Sequence, residues 1–305
     1  MSNKKKIVVV LFLLFSVLTI WYLFIKESDY CISFKEKTAS GTIFQGIQEW
    51  TTAQQMSENE EYSILEKKNF DYIKQEMKSG NTLMEYTWEM NSLNDSVTEV
   101  IVGIKDLNNS LYNRITAPFY GTHFKKEQIS KITHFKNGLE KHLENFKVKI
   151  DGEGQSEEIF VAYINLKSIL QEKAQTMIGN DAIITGYLQN NNIKITGRPY
   201  VEIENWDLDN ETLVYNYCFP IDKNSKIVAD ANVKFKSILV QKGLKATYYG
   251  NFRTSDRAWF ALLDYAKKNN IKLVSKPLEH FLANPFNGGN ELEWKTEIII
   301  PYDIE

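Results

Sequence analysis

The N-terminus shows a sharp contrast between polar and apolar positions. Lys4–Lys6 are followed by an uncharged, almost entirely apolar run, Ile7–Ile25. About 20 consecutive apolar residues in a helix span the hydrocarbon core of a bilayer, and lysines favour its cytoplasmic side. Residues 1–28 are therefore predicted to be a single transmembrane signal anchor with a cytoplasmic N-terminus and the rest of the chain on the outer (periplasmic or extracellular) face. A cleaved signal peptide is the alternative, but Val17–Trp21 is too bulky for a cleavage site.

Residues 29–150 alternate between strand and helix patterns, which predicts one α+β domain. Tyr30–Phe34 alternates like a strand, and apolar side chains recur at helical spacing in Gly41–Gln54. Further strands are predicted at Tyr62–Leu65, Thr82–Trp88 and Val97–Ile104, with turns at Ser79–Asn81 and Asn91–Asp95. The final helix, Lys125–Phe146, carries an apolar stripe made of Ile129, Ile132, Phe135, Leu139, Leu143 and Phe146.

This order of a strand, short helices, a curved meander and a long terminal helix resembles the START-like SRPBCC fold, a helix-grip domain. In that fold the long helix closes an apolar cavity against the sheet. The resemblance implies a lipid or other apolar ligand, and a plain packed core is the alternative. The pattern nominates no binding residue in residues 29–150. His123, His134 and His142 lack a carboxylate or cysteine that would complete a metal set, so neither a metal nor a cofactor is predicted.

The C-terminal half contains an internal repeat. Asn191–Pro199 recurs as Asn269–Pro277, after a polar connection at 151–156 that is predicted to be a linker. A strand and a helix precede each copy and a strand pair follows it, so each half of residues 157–305 is predicted to be βαββ. Two such halves can form one antiparallel sheet with both helices on one face and a cleft between the halves. The predicted elements are the strands Ile159–Leu166 and Lys236–Tyr249, the helices Asp181–Gln189 and Ser255–Lys268, and the closing strands Leu213–Phe219 and Trp294–Ile300.

Composition narrows the classes of partner. The net charge of −3 argues against nucleic acid, since binding phosphates requires a basic face. Cys31 and Cys218 are too sparse for a metal motif or a disulfide framework. No helix-turn-helix-like or basic segment precedes the repeat, so direct control of transcription is not expected.

Four segments of the second half carry the most specific signal: Thr247–Phe252, Trp259–Tyr265, Lys276–Pro285 and Trp294–Tyr302. They are similar to the strand-to-helix turn, the helix, the Pro-x-Glu-x-Tyr segment and the closing strand of the GyrI-like family, the AraC-type effector-binding domains of bacteria. The resemblance implies paired modules around a central pocket for hydrophobic, often cationic or planar ligands. Some members sense drugs, and others hydrolyse small electrophilic compounds. Phe281 stands where the family favours tyrosine and cannot donate a proton, which argues against hydrolysis.

Glu279 is the candidate centre of that pocket. Neighbouring residues in a strand face opposite ways, so Glu279 and Phe281 share a face. A carboxylate among aromatic rings attracts a lipophilic cation, and cation–π contacts add about 0.5–2 kcal/mol. A solvated strand residue is the alternative for Glu279. The other candidate ligand-binding residues are Tyr248, Tyr249, Trp259, Trp294 and Glu297, for which core packing or, for Glu297, pairing with a lysine is the alternative.

Three functions remain open from these patterns. The first is a membrane-anchored protein that binds a small lipophilic molecule, cationic or neutral, without catalytic residues. The second is a hydrolase of small electrophilic compounds with Glu279 as its general base. The third is a structural or partner-binding envelope protein whose pocket is filled by its own side chains.

Overall fold

The computed structural model describes residues 3–57, 60–94, 97–283 and 288–303. The chain divides into two compact units, Met1–Glu140 and Lys141–Glu305. The first contains a five-stranded sheet and the second an eight-stranded sheet, and every strand pairing within them is antiparallel. The predicted α+β class is therefore confirmed.

The N-terminal apolar run is helical. Helix α1 (Asn3–Ile20) continues into a π-helical turn, Trp21–Ile25. Ser16 and Thr19 donate their hydroxyl groups to backbone carbonyls one turn earlier, at 2.9 and 2.8 Å, which satisfies the polar groups of this apolar segment. The helix from Lys5 to Ile25 is long and apolar enough to cross a membrane, and a signal sequence has the same properties.

The first unit is a sheet covered by two helices. Its further elements are β1 (Tyr30–Glu36), α2 (Ser40–Ser57), β2 (Glu61–Lys68), β3 (Tyr72–Ser79), β4 (Thr82–Asn94), β5 (Val97–Asp106), α3 (Ser110–Thr116) and α4 (His123–Leu143). The sheet order is β1-β5-β4-β3-β2. Phe135 of the predicted apolar stripe is buried, and its ring lies 5.1 Å from that of Trp88 and 5.6 Å from that of Trp50. Phe135 therefore packs against the sheet and α2, and Ile132 and Leu139 of the stripe are also buried, whereas Ile129 is 40% exposed.

Two predicted boundaries in this part of the chain are wrong. Helix α4 ends at Leu143, and Phe146 begins the next strand, β6 (Phe146–Gln155). The turn expected at Asn91–Asp95 is replaced by a longer β4, which continues to Asn94, while Asp95 lies outside the described residues. The first error arises because Phe146 continues the apolar spacing of the helix stripe, and the second because strand ends tolerate polar residues that otherwise indicate turns.

The predicted linker at 151–156 is also wrong. Residues 151–155 are the end of β6, an edge strand of the second sheet that pairs with β11 (Lys242–Gly250). Side chains of β6 beyond Phe146 alternate between exposed and half-buried positions, so the strand needs few apolar residues. Glycine and acidic residues on an edge strand therefore resemble a linker in the sequence.

The second unit confirms the duplicated βαββ prediction. The first half contains β7 (Ile159–Ile169), α5 (Lys173–Asn190), β8 (Tyr200–Asp207) and β9 (Thr212–Pro220), and the second contains β11, α6 (Asp256–Lys268), β12 (Leu278–Phe281) and β13 (Lys295–Pro301). The predicted strand Lys236–Tyr249 is two strands, because β10 (Lys234–Ile238) is separate from β11. The sheet order β10-β7-β9-β8-β12-β13-β11-β6 is symmetric about the β8–β12 pair.

Candidate functional site

Both helices of the second unit lie on one face of its sheet. Val201 of β8 is directly opposite Tyr217 of β9 and Glu279 of β12, so these three side chains share a face. Tyr217 donates its hydroxyl to Asp181 of α5 at 2.9 Å, and Trp259 of α6 donates its indole N–H to Glu279 at 2.9 Å. The face that carries Glu279 is therefore covered by α5 and α6, as the duplicated arrangement predicts.

Glu279 is fully buried and is neutralised by a lysine. The Nζ of Lys173 donates to both carboxylate oxygens of Glu279 at 3.0 and 2.9 Å, and also to the hydroxyl of Ser255 at 2.9 Å. The same ammonium lies 4.3 Å from the ring centroid of Trp259. A buried charge pair is stable only when further hydrogen bonds satisfy both partners, and Ser255 and Trp259 supply them. The negative charge of Glu279 is therefore balanced by Lys173 inside the protein.

A cavity of about 800 Å³ opens between the two halves of this unit, on the helix side of the sheet. Side chains of α5 form one wall at helical spacing, and β9 contributes two aromatic rings. The second half contributes the turn after β11, the end of β12 and the start of β13. The lining residues are Met177, Ile178, Asp181, Ala182, Thr185, Ile195, Gly197, Arg198, Pro199, Tyr217, Phe219, Gly250, Asn251, Phe252, Arg253, Phe281, Ala283, Trp294, Lys295 and Thr296.

Asp181 is the carboxylate found among the described lining residues. Its oxygen accepts the Tyr217 hydroxyl, and burial together with this carboxylate raises the pKa of Tyr217 well above its usual range. Tyr217 therefore stays protonated and holds Asp181 in place as a hydrogen-bond donor. The remaining lining is mainly apolar and aromatic but includes three basic residues, so Asp181 supplies the one negative charge among the described lining residues.

Three basic residues also belong to the lining, and their surroundings differ. Arg198 and Arg253 are exposed, so water and salt screen their charges. Lys295 donates to Glu297 at 2.7 Å, and this hydrogen bond lowers the pKa of the Glu297 carboxyl. Lys295 is therefore already neutralised by its partner.

Glycine at position 250 shapes the turn that borders the cavity. Gly250 has a φ of 153°, and a Cβ there would lie 2.5 Å from the hydroxyl of Tyr248. That hydroxyl is held by the backbone carbonyl of Asn251 at 3.0 Å and by the hydroxyl of Thr254 at 2.7 Å. A side chain at position 250 would therefore displace the turn.

The structure brings together only part of the predicted site. Phe281 and Trp294 line the cavity, whereas Glu279 and Trp259 form the buried cluster with Lys173. Tyr248 is fully buried in the core and stacks on Phe146, while Tyr249 and Glu297 do not line the cavity. Tyr248 is thus packed in the core, and Glu297 is paired with a lysine, as the alternative for each residue predicted.

Sequence reasoning missed Lys173 and Asp181 as site residues. Lys173 lies in a polar stretch, before the predicted start of the helix at Asp181, and no local pattern marks it as buried. Asp181 could have been found from the repeat, because the spacing between Asn191 and Asn269 sets Asp181 equivalent to Trp259. The resemblance rests on segments of the second half alone, so it nominates no residue of the first half.

Binding is the chemistry that this arrangement supports. An apolar, aromatic cavity with one held carboxylate can bind a lipophilic molecule and place a positive charge. General-base hydrolysis needs a carboxylate that reaches a water molecule beside the substrate. Glu279 makes three hydrogen bonds inside the core, and its side chain is not exposed. Glu279 therefore has a structural role in the core and is not positioned as a general base.

Comparison with known proteins yields only distant likenesses. No family model matches the chain, and no curated protein matches it. The structure is similar to the EcmrR C-terminal domain, with 14% identity and a TM-score of 0.44 over 52% of this chain and 99% of that chain. It is also similar to SAV2435 bound to tetraphenylphosphonium, with 13% identity and a TM-score of 0.36 over 51% of this chain and 94% of that one.

A third likeness is to a hydrolase from Listeria innocua, with 10% identity and a TM-score of 0.32 over 49% of this chain and 91% of that chain. The TM-scores of these three neighbours all lie below 0.5, so the GyrI-like relation of residues 157–305 stays a prediction. At such low identities and TM-scores they carry no argument about ligand or activity. The START-like relation of residues 29–150 stays a prediction.

Proposed function

We propose that this chain is a membrane-tethered protein whose C-terminal unit binds a small lipophilic molecule in its cavity, with Asp181 as the counter-charge when that molecule is a cation. The observation that carries the proposal is the open cavity of about 800 Å³. Its described lining combines one carboxylate with five aromatic side chains: Tyr217, Phe219, Phe252, Phe281 and Trp294.

The size and character of the cavity fit a drug-sized ligand. Ligand sites in proteins measure roughly 300–1,000 Å³ and are mostly apolar with a few placed polar groups. Ile178 and Ile195 line the cavity and are 39% and 37% exposed. A bound apolar molecule would remove this surface from water and gain about 25 cal/mol for each Å² buried.

The charge preference of the cavity follows from Asp181. The carboxylate is held in position by Tyr217, so a ligand cation meets a fixed negative charge. Aromatic faces add cation–π attraction of about 0.5–2 kcal/mol. Glu279, which the sequence analysis assigned to this role, is already paired with Lys173.

Membrane tethering is the second part of the proposal. It is supported by the apolar helix from Lys5 to Ile25 and by the lysines that precede it. With the lysines on the cytoplasmic side, residues 29–305 lie on the outer face. The cavity would then bind molecules that are present outside the cytoplasm.

Two oppositely charged molecules of nearly the same shape test the proposal. The full chain in lipid nanodiscs is titrated with tetraphenylphosphonium and, separately, with tetraphenylborate, and empty nanodiscs are subtracted. We expect the cation to bind more tightly, since Asp181 attracts it. Isothermal titration calorimetry gives both affinities. Equal binding of tetraphenylphosphonium to nanodiscs with and without the protein would contradict the binding proposal.

Asp181→Asn tests the counter-charge directly. The substitution keeps the acceptor for Tyr217 but removes the charge, so we expect a loss of about 1–2 kcal/mol for the cation, which is on the order of 5- to 30-fold in Kd. Asp303→Asn removes an exposed charge outside the cavity and is the matched control. Tighter binding of tetraphenylborate that is lost in Arg198→Gln would instead assign the charge selection to the basic residues and overturn the role of Asp181.

A further inference from the structure

Helix α3 and the turn after it expose a continuous apolar surface. Asn113, Arg114 and Ala117 face the interior. The opposite side presents large apolar and aromatic side chains that are 47–80% exposed, namely Leu111, Tyr112, Ile115, Phe119 and Tyr120. We call these five residues the α3 patch. Clustered exposure of this kind marks an interaction surface, whereas single exposed apolar residues are ordinary.

The α3 patch lies on the helix that holds the end of the apolar N-terminal helix. Arg114 donates to the backbone carbonyls of Tyr22 and Leu23 at 3.4 and 3.1 Å, and to that of Glu27 at 3.3 Å. In return, the hydroxyl of Tyr22 donates to the carbonyl of Arg114 at 3.1 Å. Arg114 thus caps the carbonyl end of the helix, where a cation is favoured by the helix dipole.

A buried ion pair fixes Arg114 in this position. Its Nε donates to Asp29 at 2.8 Å, and both side chains are almost completely buried. Asp29 also accepts the hydroxyl of Ser110 at 2.5 Å and the backbone N–H of Asp106 at 2.9 Å. The helix end, β5 and α3 therefore form one hydrogen-bonded assembly, so α3 cannot move away from the end of the apolar helix without breaking it.

The connection between the apolar helix and the first sheet is also short. Only Lys26–Asp29 separate the π-helical turn from β1. Four residues reach at most about 14 Å when fully extended, and hydrogen bonds to Glu27 and Asp29 shorten this segment further. If the helix crosses a bilayer, these contacts keep α3 beside the end of the span.

We propose that the α3 patch rests in the interface of the bilayer that the N-terminal helix crosses, with a lipid surface as its partner. The inference rests on the proposed membrane tethering. Tyr112 and Tyr120 are amphipathic rings of the kind enriched at membrane interfaces, and Ile115 and Phe119 supply apolar contact with the acyl boundary. Lys126 is exposed in the neighbouring helix α4 and is available to anionic headgroups. A lipid surface is favoured over a second copy because the patch is continuous with the end of the span.

Fluorescent labels on the full chain in liposomes test this proposal. In a Cys31→Ser background, which leaves only the buried Cys218, Phe119→Cys is labelled with an environment-sensitive fluorophore. Met56→Cys is the matched control, since Met56 is 83% exposed on α2 of the same unit. We expect blue-shifted emission at position 119 and strong quenching by lipids with a nitroxide near the headgroup. The label at position 56 should instead be quenched by a water-soluble quencher.

The same sample distinguishes a failure of the membrane tethering from a failure of the interface proposal. Alkaline carbonate extraction followed by flotation reports whether the chain is embedded in the bilayer. Loss of the chain from the membrane overturns the tethering, and the interface proposal with it. An embedded chain whose labels at positions 119 and 56 respond alike overturns the interface proposal alone. Tyr112→Cys provides a second label position in the patch, and it should behave like position 119.

Discussion

At the scale of single residues, the contact between Lys173 and Glu279 links the two halves of the repeat. The two residues are 106 positions apart in the sequence, and their side chains form a buried ion pair at 2.9 Å. Ser255 and Trp259 complete the hydrogen bonds of the pair. Because both charges are removed from water, each depends on the other for its stability.

Removing either member of this pair should destabilise the C-terminal unit strongly. Lys173→Met leaves the carboxylate of Glu279 buried without its cation, at an expected cost of about 3–5 kcal/mol. The double variant Lys173→Met with Glu279→Leu removes both charges and should recover much of that loss. Urea unfolding of the full chain, followed by the fluorescence of the buried tryptophans, gives the free energies. Additive losses in the double variant would show that the two charges do not stabilise one another.

His280 should make stability depend on pH. Its ring stacks on Tyr200 at 4.0 Å, and burial lowers the pKa of His280 below its usual value. The unfolded chain therefore takes up the proton first, so stability is lost as pH falls below about 6.5, the ordinary pKa of histidine. His280→Phe keeps a stacking ring and should flatten the profile between about pH 7 and 5. His134→Gln, at an exposed position, is the control that should leave the slope unchanged.

At the scale of elements, the repeated Asn-Asn-Ile sequence ends both helices of the second unit in the same way. Asn192 and Asn270 follow α5 and α6 with φ values of 56° and 55°. The N–H groups of the next residues, Ile193 and Ile271, return to carbonyls near the helix ends at 2.9 Å. This is the Schellman arrangement, which requires a left-handed residue after the helix. The duplication therefore preserves a helix stop as well as a hydrophobic pattern.

At each of these two positions, substitution by glycine and by valine should have opposite effects on stability, because the two residues differ in how easily they adopt positive φ. Asn270→Gly should be neutral or stabilising, because glycine adopts positive φ without a steric penalty. Asn270→Val should destabilise by about 1–2 kcal/mol, since a β-branched residue is strained in the left-handed region. Asn192→Gly and Asn192→Val are the matched pair in the first half. Thermal unfolding measures all four, and equal effects of Gly and Val would contradict the explanation.

At the scale of the whole molecule, the chain consists of two compact units with separate sheets, and the cavity belongs to the second. Each unit buries its own core, from Trp88 and Ile104 in the first to Tyr215 and Ile300 in the second. A ligand that binds the folded cavity stabilises the unit that forms it, by mass action.

Ligand protection should therefore be confined to one unit. At a free tetraphenylphosphonium concentration of 100 times Kd, stabilisation of about 2.7 kcal/mol is expected for the unit that binds it. Hydrogen exchange read by mass spectrometry should slow in α5 and β9 and stay unchanged in β3 and β4 of the first unit. The Asp181→Asn variant should lose most of this protection. Protection that appears equally in the first unit would contradict binding at the cavity.

The fold was more predictable than the site, for reasons visible in particular segments. Periodicity identified α4 and the repeat, because an apolar stripe and a duplicated block are local features of the sequence. It failed at β6, where an edge strand carries the polar residues of a linker, and at α3, whose seven residues are too few for a clear period. Phe281 and Trp294, which the resemblance nominated, line the cavity, whereas Tyr248 and Tyr249 do not.

The sequence by itself determined the apolar N-terminal helix, the two βαββ halves and their helix stops, since each depends on residues close together in the chain. Only the tertiary structure decided that Lys173 neutralises Glu279 and that Asp181 is the carboxylate left in the cavity. Both outcomes depend on which side chains of the first half meet those of the second. Such meetings are set by long-range packing of the sheet and its helices, and no local pattern encodes them.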